Sequence, residues 1–139
     1  MDRALGSIAG MHTLERYAPI YGLVQLGLFM IGCVFWIDAR SGASEFSPTT
    51  WGEFAYSFPA EFWAFLTMTG ACAALIGLIN PVKRGMVLFG GGLHICQHVA
   101  LAYSAALTGG DIAVALYAAF LLVPFHLSMF VGAALQWKT

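Results

Sequence analysis

Four long stretches of the chain carry apolar side chains with no charge in their middle: Tyr17–Ile37, Ala60–Ile79, Gly85–Leu107 and Ile112–Gln136. Each has roughly the 20 residues a helix needs to cross a hydrocarbon core about 30 Å thick. Polar residues gather in the breaks between them. Asn80-Pro81-Val82-Lys83-Arg84 separates the second and third stretches; its proline stops one helix and its charges hold the turn in water. Thr108-Gly109-Gly110-Asp111 separates the third and fourth, with glycine able to supply the positive φ of a tight turn. Two connections this short force helices two, three and four into an antiparallel meander. The pattern predicts an all-α integral membrane protein: one domain over residues 1–139, folded as a four-transmembrane-helix bundle in the lipid bilayer.

Composition strengthens that expectation. Of 139 residues, 60% are hydrophobic and only 9% charged, against about a quarter charged in a soluble domain. The net charge is −1 and no basic run occurs, so nothing provides the electrostatic footprint of a nucleic-acid binder. Residues 1–16 lack the continuous apolar core and cleavage site of a signal peptide, so the first hydrophobic stretch reads as a retained signal anchor. Arg3, Arg16, Lys83, Arg84 and Lys138 fall on one side of the four spans and Arg40 alone on the other, which predicts both ends inside. A bacterial inner membrane is the expected location.

The loop from Asp38 to Pro59 then lies outside. Ser47-Pro48 has the form of a helix cap followed by proline at the first helical position. Trp51, Phe54, Tyr56, Phe58, Phe62 and Trp63 make it an aromatic-rich extracytoplasmic loop between helices one and two, either anchoring helix depth at the headgroups or docking a partner. At the other end, residues 2–15 place Leu5, Ile8, Met11 and Leu14 three apart, as in a weakly amphipathic surface helix or else a disordered tail that also carries His12.

Helices in lipid associate through small residues and buried polar contacts. Gly70, Ala73, Ala74 and Gly77 form such a stripe on helix two, Gly90, Gly91, Gly92, Ala102 and Ala105 on helix three, and Ala115, Ala119, Ser128 and Gly132 on helix four. Gly22, Gly27 and Gly32 of helix one are five apart and drift around it, so helix one is expected to pack loosely or to face a second copy. Cys33, Cys72 and Cys96 lie inside apolar segments and are expected to be small buried hydrophobes, not halves of a disulfide.

One constellation has chemical potential. His94 and His98 are one turn apart on helix three, on its small-residue face. His126 lies at similar depth on helix four when both are counted from Gly109, and Thr69 and Cys72 come near the same level across the Pro81 turn. Three imidazoles in mid-membrane act as register-fixing glue, as ligands of a transition metal or haem, or as part of an ion path. Two histidines on one face of a helix cannot clamp a haem together, whereas His126 with either of them places one ligand on each side. Gln25 and Gln97 are the other mid-helix polar groups and read as interhelical glue. No nucleophile elbow, phosphate loop, HExxH or paired-carboxylate motif occurs.

Ser47-Pro48-Thr49-Thr50-Trp51, Pro59-Ala60-Glu61-Phe62-Trp63-Ala64 and Leu75-Ile76-Gly77-Leu78 resemble a pattern in small multi-span proteins encoded by tailed bacteriophages. The resemblance covers residues 47–80, carries no active-site residues, and implies a viral gene product that enters the host inner membrane. The functional expectation is a non-enzymatic module, a homo-oligomer or an accessory or scaffold part of a larger membrane assembly, with a holin-like pore former as one version. Trp51, Phe54, Tyr56, Phe58 and Trp63 are its candidate partner-binding residues. The alternative is a metal- or haem-binding subunit of a membrane redox complex that uses His94, His98 and His126.

Overall fold

The computed structural model describes the backbone of residues 2–41 and 48–137, and side chains from Leu14 onward except those at 48, 49, 81 and 137. His12, Glu45, Ser47 and Lys138 therefore lie outside the described side chains or residues. Helix α1 runs Asp2–Ser41, α2 Pro48–Trp51, α3 Glu53–Tyr56, α4 Ala60–Ile79, α5 Gly85–Leu107, α6 Ile112–Tyr117 and α7 Val123–Trp137, with no strand among the described residues. A 3₁₀ turn, Pro81–Lys83, joins α4 to α5, and a π-turn, Ala118–Leu122, joins α6 to α7 in one continuous rod. Four helices are long and apolar enough to cross a membrane, the architecture of an integral membrane protein: Leu14–Ser41, Ala60–Ile79, Gly85–Leu107 and Ile112–Gln136.

The breaks form where local chemistry requires them. Asn80 Oδ1 accepts from the Val82 N–H at 3.1 Å and caps the turn opened by Pro81. Asp111 Oδ1 accepts from the Ala113 N–H at 2.7 Å, and Gly109 sits at φ 87°. Glycine suits that reversal because an L side chain would be strained at that φ.

The four rods close into a ring in which α1 packs on α4, α4 on α5, α5 on α7, and α7 back on α1. This corrects the expectation that helix one is the loose member. Gly32 lies against Ala64 and Met68 of α4, while Leu14, Tyr21 and Gln25 are buried. Gly22 and Gly27 do look away from all neighbours, as their five-residue drift implies. Residues 2–13 continue the α1 helix through Pro19 instead of forming a separate surface segment. A rod of 40 residues is about 60 Å long, roughly twice the hydrocarbon thickness, so α1 projects well past it.

The small-residue stripes of α4 and α5 meet as expected, with Gly70, Ala74, Gly77 and Gly90 buried between them. On the fourth rod, Ala118 is buried and Ala119 exposed. The π-turn begins at Ala118 and changes the angular step per residue, so a 3.6-residue period does not carry across it. Cys72 and Cys96 are exposed and Cys33 is half-buried, all with free thiols. A cysteine in an apolar span need not be inside the protein, because lipid is itself an apolar surrounding.

Candidate functional site

The ring of helices encloses a polar layer, built from contacts on the α4–α5, α1–α7 and α5–α7 seams. On the α4–α5 seam, His94 Nε2 lies 3.1 Å from the Thr67 carbonyl oxygen. A carbonyl only accepts, so Nε2 carries the proton and Nδ1 keeps the lone pair of a neutral ring. Just under one turn further along the same seam, Gln97 Nε2 donates to Thr67 Oγ1 at 2.7 Å and to the Trp63 carbonyl at 3.4 Å, while Thr67 Oγ1 donates to that carbonyl at 2.8 Å. Those acceptors fix the Gln97 amide orientation, since its oxygen could not face the Trp63 carbonyl. On the α1–α7 seam, Gln25 Nε2 stands 3.4 Å from His126 Nδ1 and 3.9 Å from Met129 Sδ. Tyr21 and Ser128 hydroxyls are 3.0 Å apart. Ser128 Oγ also donates to the Phe125 carbonyl, which leaves Tyr21 as donor to Ser128.

The α5–α7 seam is made by the histidines themselves. Ring centres are 5.8 Å apart for His94 and His98, 4.6 Å for His94 and His126, and 5.1 Å for His98 and His126, whose planes are stacked within 6°. His94 and His126 are fully buried and His98 is 6% exposed. The α4 backbone comes close enough for this only because residue 70 is glycine: a Cβ there would lie 2.5 Å from His94 Nε2.

One nitrogen of each ring is buried without a partner: His94 Nδ1, His98 Nδ1 and His126 Nε2. Gln25 Oε1 and Gln97 Oε1 are in the same state. A polar atom with no partner in a low-dielectric interior costs about 1–3 kcal/mol, so five of them in one layer mark a place able to hold a polar guest.

A porphyrin does not fit between these rings. Iron–nitrogen bonds of about 2 Å on each face put the centres of two axial imidazoles roughly 6 Å apart, with rings edge-on to the plate. His126 is nearer than that to both partners, and it lies face to face with His98. Among the described residues, no three His, Cys, Asp or Glu side chains are arranged to hold a metal ion.

The other sequence-derived residues lie at one end of the bundle. Glu53 N donates to the Thr108 carbonyl at 3.0 Å, Ala55 N to Ser104 Oγ at 2.8 Å, Asp111 N to the Thr50 carbonyl at 3.0 Å, and Trp63 Nε1 to the Ala55 carbonyl at 2.8 Å. Gly52, at φ 83°, presses against the Ser104 carbonyl and leaves no room for a Cβ. Helices α2 and α3 thus form a cap laced to the ends of α5 and α6. Phe54, Tyr56 and Phe58 remain exposed on it, with Phe58 stacked on Phe62 at 5.1 Å and Phe54 edge-on to Tyr103. Trp63, by contrast, is 5% exposed and Trp51 is half-buried, so these two support the cap and are not its surface.

Sequence reasoning placed the three histidines at one depth, with Thr69 and Cys72 near the same level, but level alone did not say which helix-two residue faces the layer. Thr69 and Cys72 line a groove on the far face of α4, and Thr67 is the residue that reaches the layer. Tyr21, Thr67 and the cap anchor Ser104 were missed. A signal existed for Tyr21, because Leu14, Tyr21, Gln25 and Gly32 share one helical face at intervals of seven, four and seven. Comparison with known protein families, characterised proteins and solved structures finds no match to this chain.

Proposed function

We propose that this protein is a non-enzymatic module of a membrane assembly, self-associating or accessory to a larger complex, and that it docks through the aromatic cap. The observation that supports this reading is the mounting of exposed aromatic rings on a hydrogen-bonded scaffold. Phe54, Tyr56 and Phe58 are 41%, 55% and 37% exposed, while the backbone beneath them is tied to Ser104, Thr108 and Trp63. A depth anchor needs only rings at the headgroup level, which mobile side chains supply. A docking surface gains from rings already held in place, because less conformational entropy is lost on binding. The distribution of basic residues favours a cap outside with both termini inside, and the pattern over residues 47–80 suits a phage product in a bacterial inner membrane.

Site-specific photo-crosslinking in intact membranes tests this. A photoreactive residue at Tyr56 or Phe54 is expected to give a discrete protein adduct, whereas one at Leu23, on the lipid-facing side of α1, is not. Mass analysis of the adduct separates a second copy from a different subunit. Adducts to lipid alone from both cap positions would refute docking and leave the rings as anchors.

A second reading, one transition-metal ion at the histidine layer, has one observation in its favour: the unpartnered nitrogen on each of His94, His98 and His126. The Thr67 carbonyl holds the opposite nitrogen of His94, as outer partners of metal-bound imidazoles do. Binding requires at least one ring to turn, since no three donors converge as placed. Metal analysis of the detergent-purified protein decides: stoichiometric metal that is lost in a His94→Ala/His126→Ala double variant supports it, and a metal-free preparation that takes up none on incubation with Zn²⁺ or Cu²⁺ refutes it.

A further inference from the structure

The outer face of α4 carries two hollows in succession. The first, of about 440 Å³, lies between the end of α1 and the start of α4, with Ala39, Tyr56, Phe58 and Glu61 on its wall. The second is a groove of about 370 Å³ between α4 and α5, walled by Phe65, Met68, Cys72 and Ile76, with Met86 and Phe89 from α5. Glu61, Phe65, Met68, Cys72 and Ile76 follow one another at intervals of four, three, four and four. That spacing puts both hollows on one stripe of the helix. The first sits where two spans end, with Ala39 in the last turn of Leu14–Ser41 and Ala60 opening Ala60–Ile79, so it lies at the level of lipid headgroups. From Phe65 to Ile76 the groove follows α4 for about 16 Å, close to half of a hydrocarbon core about 30 Å thick. It has the depth of one leaflet.

The two hollows differ in chemistry. No charged residue among the described ones lines the groove. In the first hollow, Glu61 is half-buried and makes no hydrogen bond or ion pair among the described residues. Its carboxylate oxygens keep accessible surface, unlike the orphaned atoms of the histidine layer. A carboxylate only accepts, so what meets it must bring hydrogens or positive charge. The Tyr56 and Phe58 rings on the same wall favour a cation over a neutral donor. An anionic head would meet a like charge there. A free amine would satisfy Glu61 and leave the groove empty, while a hydrocarbon chain alone would fill the groove and leave Glu61 unpaired. One molecule with a cationic head and an apolar tail does both.

We infer that this face of α4 binds a phospholipid with an ammonium head, its acyl chain laid along the groove from Phe65 to Ile76 and its ammonium held by Glu61 beside Tyr56 and Phe58. The site goes beyond docking at the cap and does not depend on it, since Phe54 is not on its wall.

The test uses the full chain in maltoside detergent, titrated with dioleoyl phosphatidylethanolamine or with dioleoyl phosphatidylglycerol, which has the same chains and no ammonium. Glycerophosphoethanolamine serves as the head without chains. A ligand that binds the folded state raises the unfolding temperature in a saturable way. Phosphatidylethanolamine is expected to do so at a concentration about tenfold lower than phosphatidylglycerol, the ratio that one hydrogen bond to a charged group supplies. Glu61→Gln is expected to erase that preference. Glu53→Gln, which removes the same charge from an exposed position off the wall, should leave it intact. Cys72→Trp, which fills the groove from an exposed position, should weaken both lipids. If Glu61→Gln does not fold, the two lipids on the wild-type chain and the Cys72→Trp variant still decide. Equal responses to the two lipids, a preference that survives Glu61→Gln, or a full shift from the chainless head would overturn the proposal.

Discussion

The two long seams of the bundle are built on opposite terms. Along α4–α5, Gly70, Ala74, Gly77 and Gly90 let two backbones touch, and every protein donor of Gln97, Thr67 and His94 that points into the seam meets an acceptor. Along α1 and the fourth rod, contact is tight only at one end. Leu14 packs on Gly132, Met129 and Ala133, and Gln25 and Tyr21 reach His126 and Ser128. Beyond the π-turn the same pair of rods separates and leaves a cavity. With no hydrophobic drive between helices in lipid, closeness depends on small residues and paired polar groups. Where the facing residues are Leu28, Ile31, Phe35 and Leu122, nothing draws the rods together.

The contrast can be broken most severely at Gly70. Gly70→Val places a side chain against the buried His94 imidazole, and is expected to destabilise the bundle by about 1–3 kcal/mol, read as a lower unfolding temperature in detergent. Gly52→Ala combines a strained φ with a clash on the Ser104 carbonyl, at a cost of ~1–3 kcal/mol. Its effect should stay in the cap: faster proteolysis around residues 42–59 with the four long helices retained. On the looser seam, Gln25→Leu removes the bond that, among the described residues, ties an α1 side chain to a histidine of the layer. A loss of about 0.6 kcal/mol, the average for interhelical hydrogen bonds in lipid, is expected in an unfolding titration, with about 1.7 kcal/mol as the ceiling. Gly22→Ala and Gly27→Ala complete the series. Nothing lies within 4 Å of either position, so stability should hold or rise by at most about 1 kcal/mol from better helix propensity. A large loss from either would mean that α1 carries a second packing face.

Legibility in the sequence tracked the range of the physics involved. The spans, the Pro81 break and the turn at Gly109 follow from residues next to one another, and each was readable. Burial was harder. Cys72, Cys96 and Ala119 lie in apolar runs that give no sign of which side faces protein, because the alternative to protein is lipid. The histidines met because 15 and 17 residues from a common turn give matching depth, which arithmetic alone supplies. Their partners did not follow from depth, since Thr67 and Thr69 are at nearly one level and differ only in facing. Ser104 and Trp63 as anchors of the cap were out of reach, because their bonds join segments 49 and eight residues apart across a loop of irregular backbone.

What the sequence determined by itself is therefore the number of rods, their order, their ends, and the presence of a polar layer at mid-depth. These rest on hydropathy, turn chemistry and helical rise, which act within a few residues of each position. Only the tertiary structure decided that α1 closes the ring, that the π-turn rephases the fourth rod, that one nitrogen of each histidine is left without a partner, and that a cavity opens beside Gln97. Those outcomes depend on how far apart two helix surfaces come to rest. That distance is set by the pairwise fit of residues remote in the chain, and no property of either residue alone contains it.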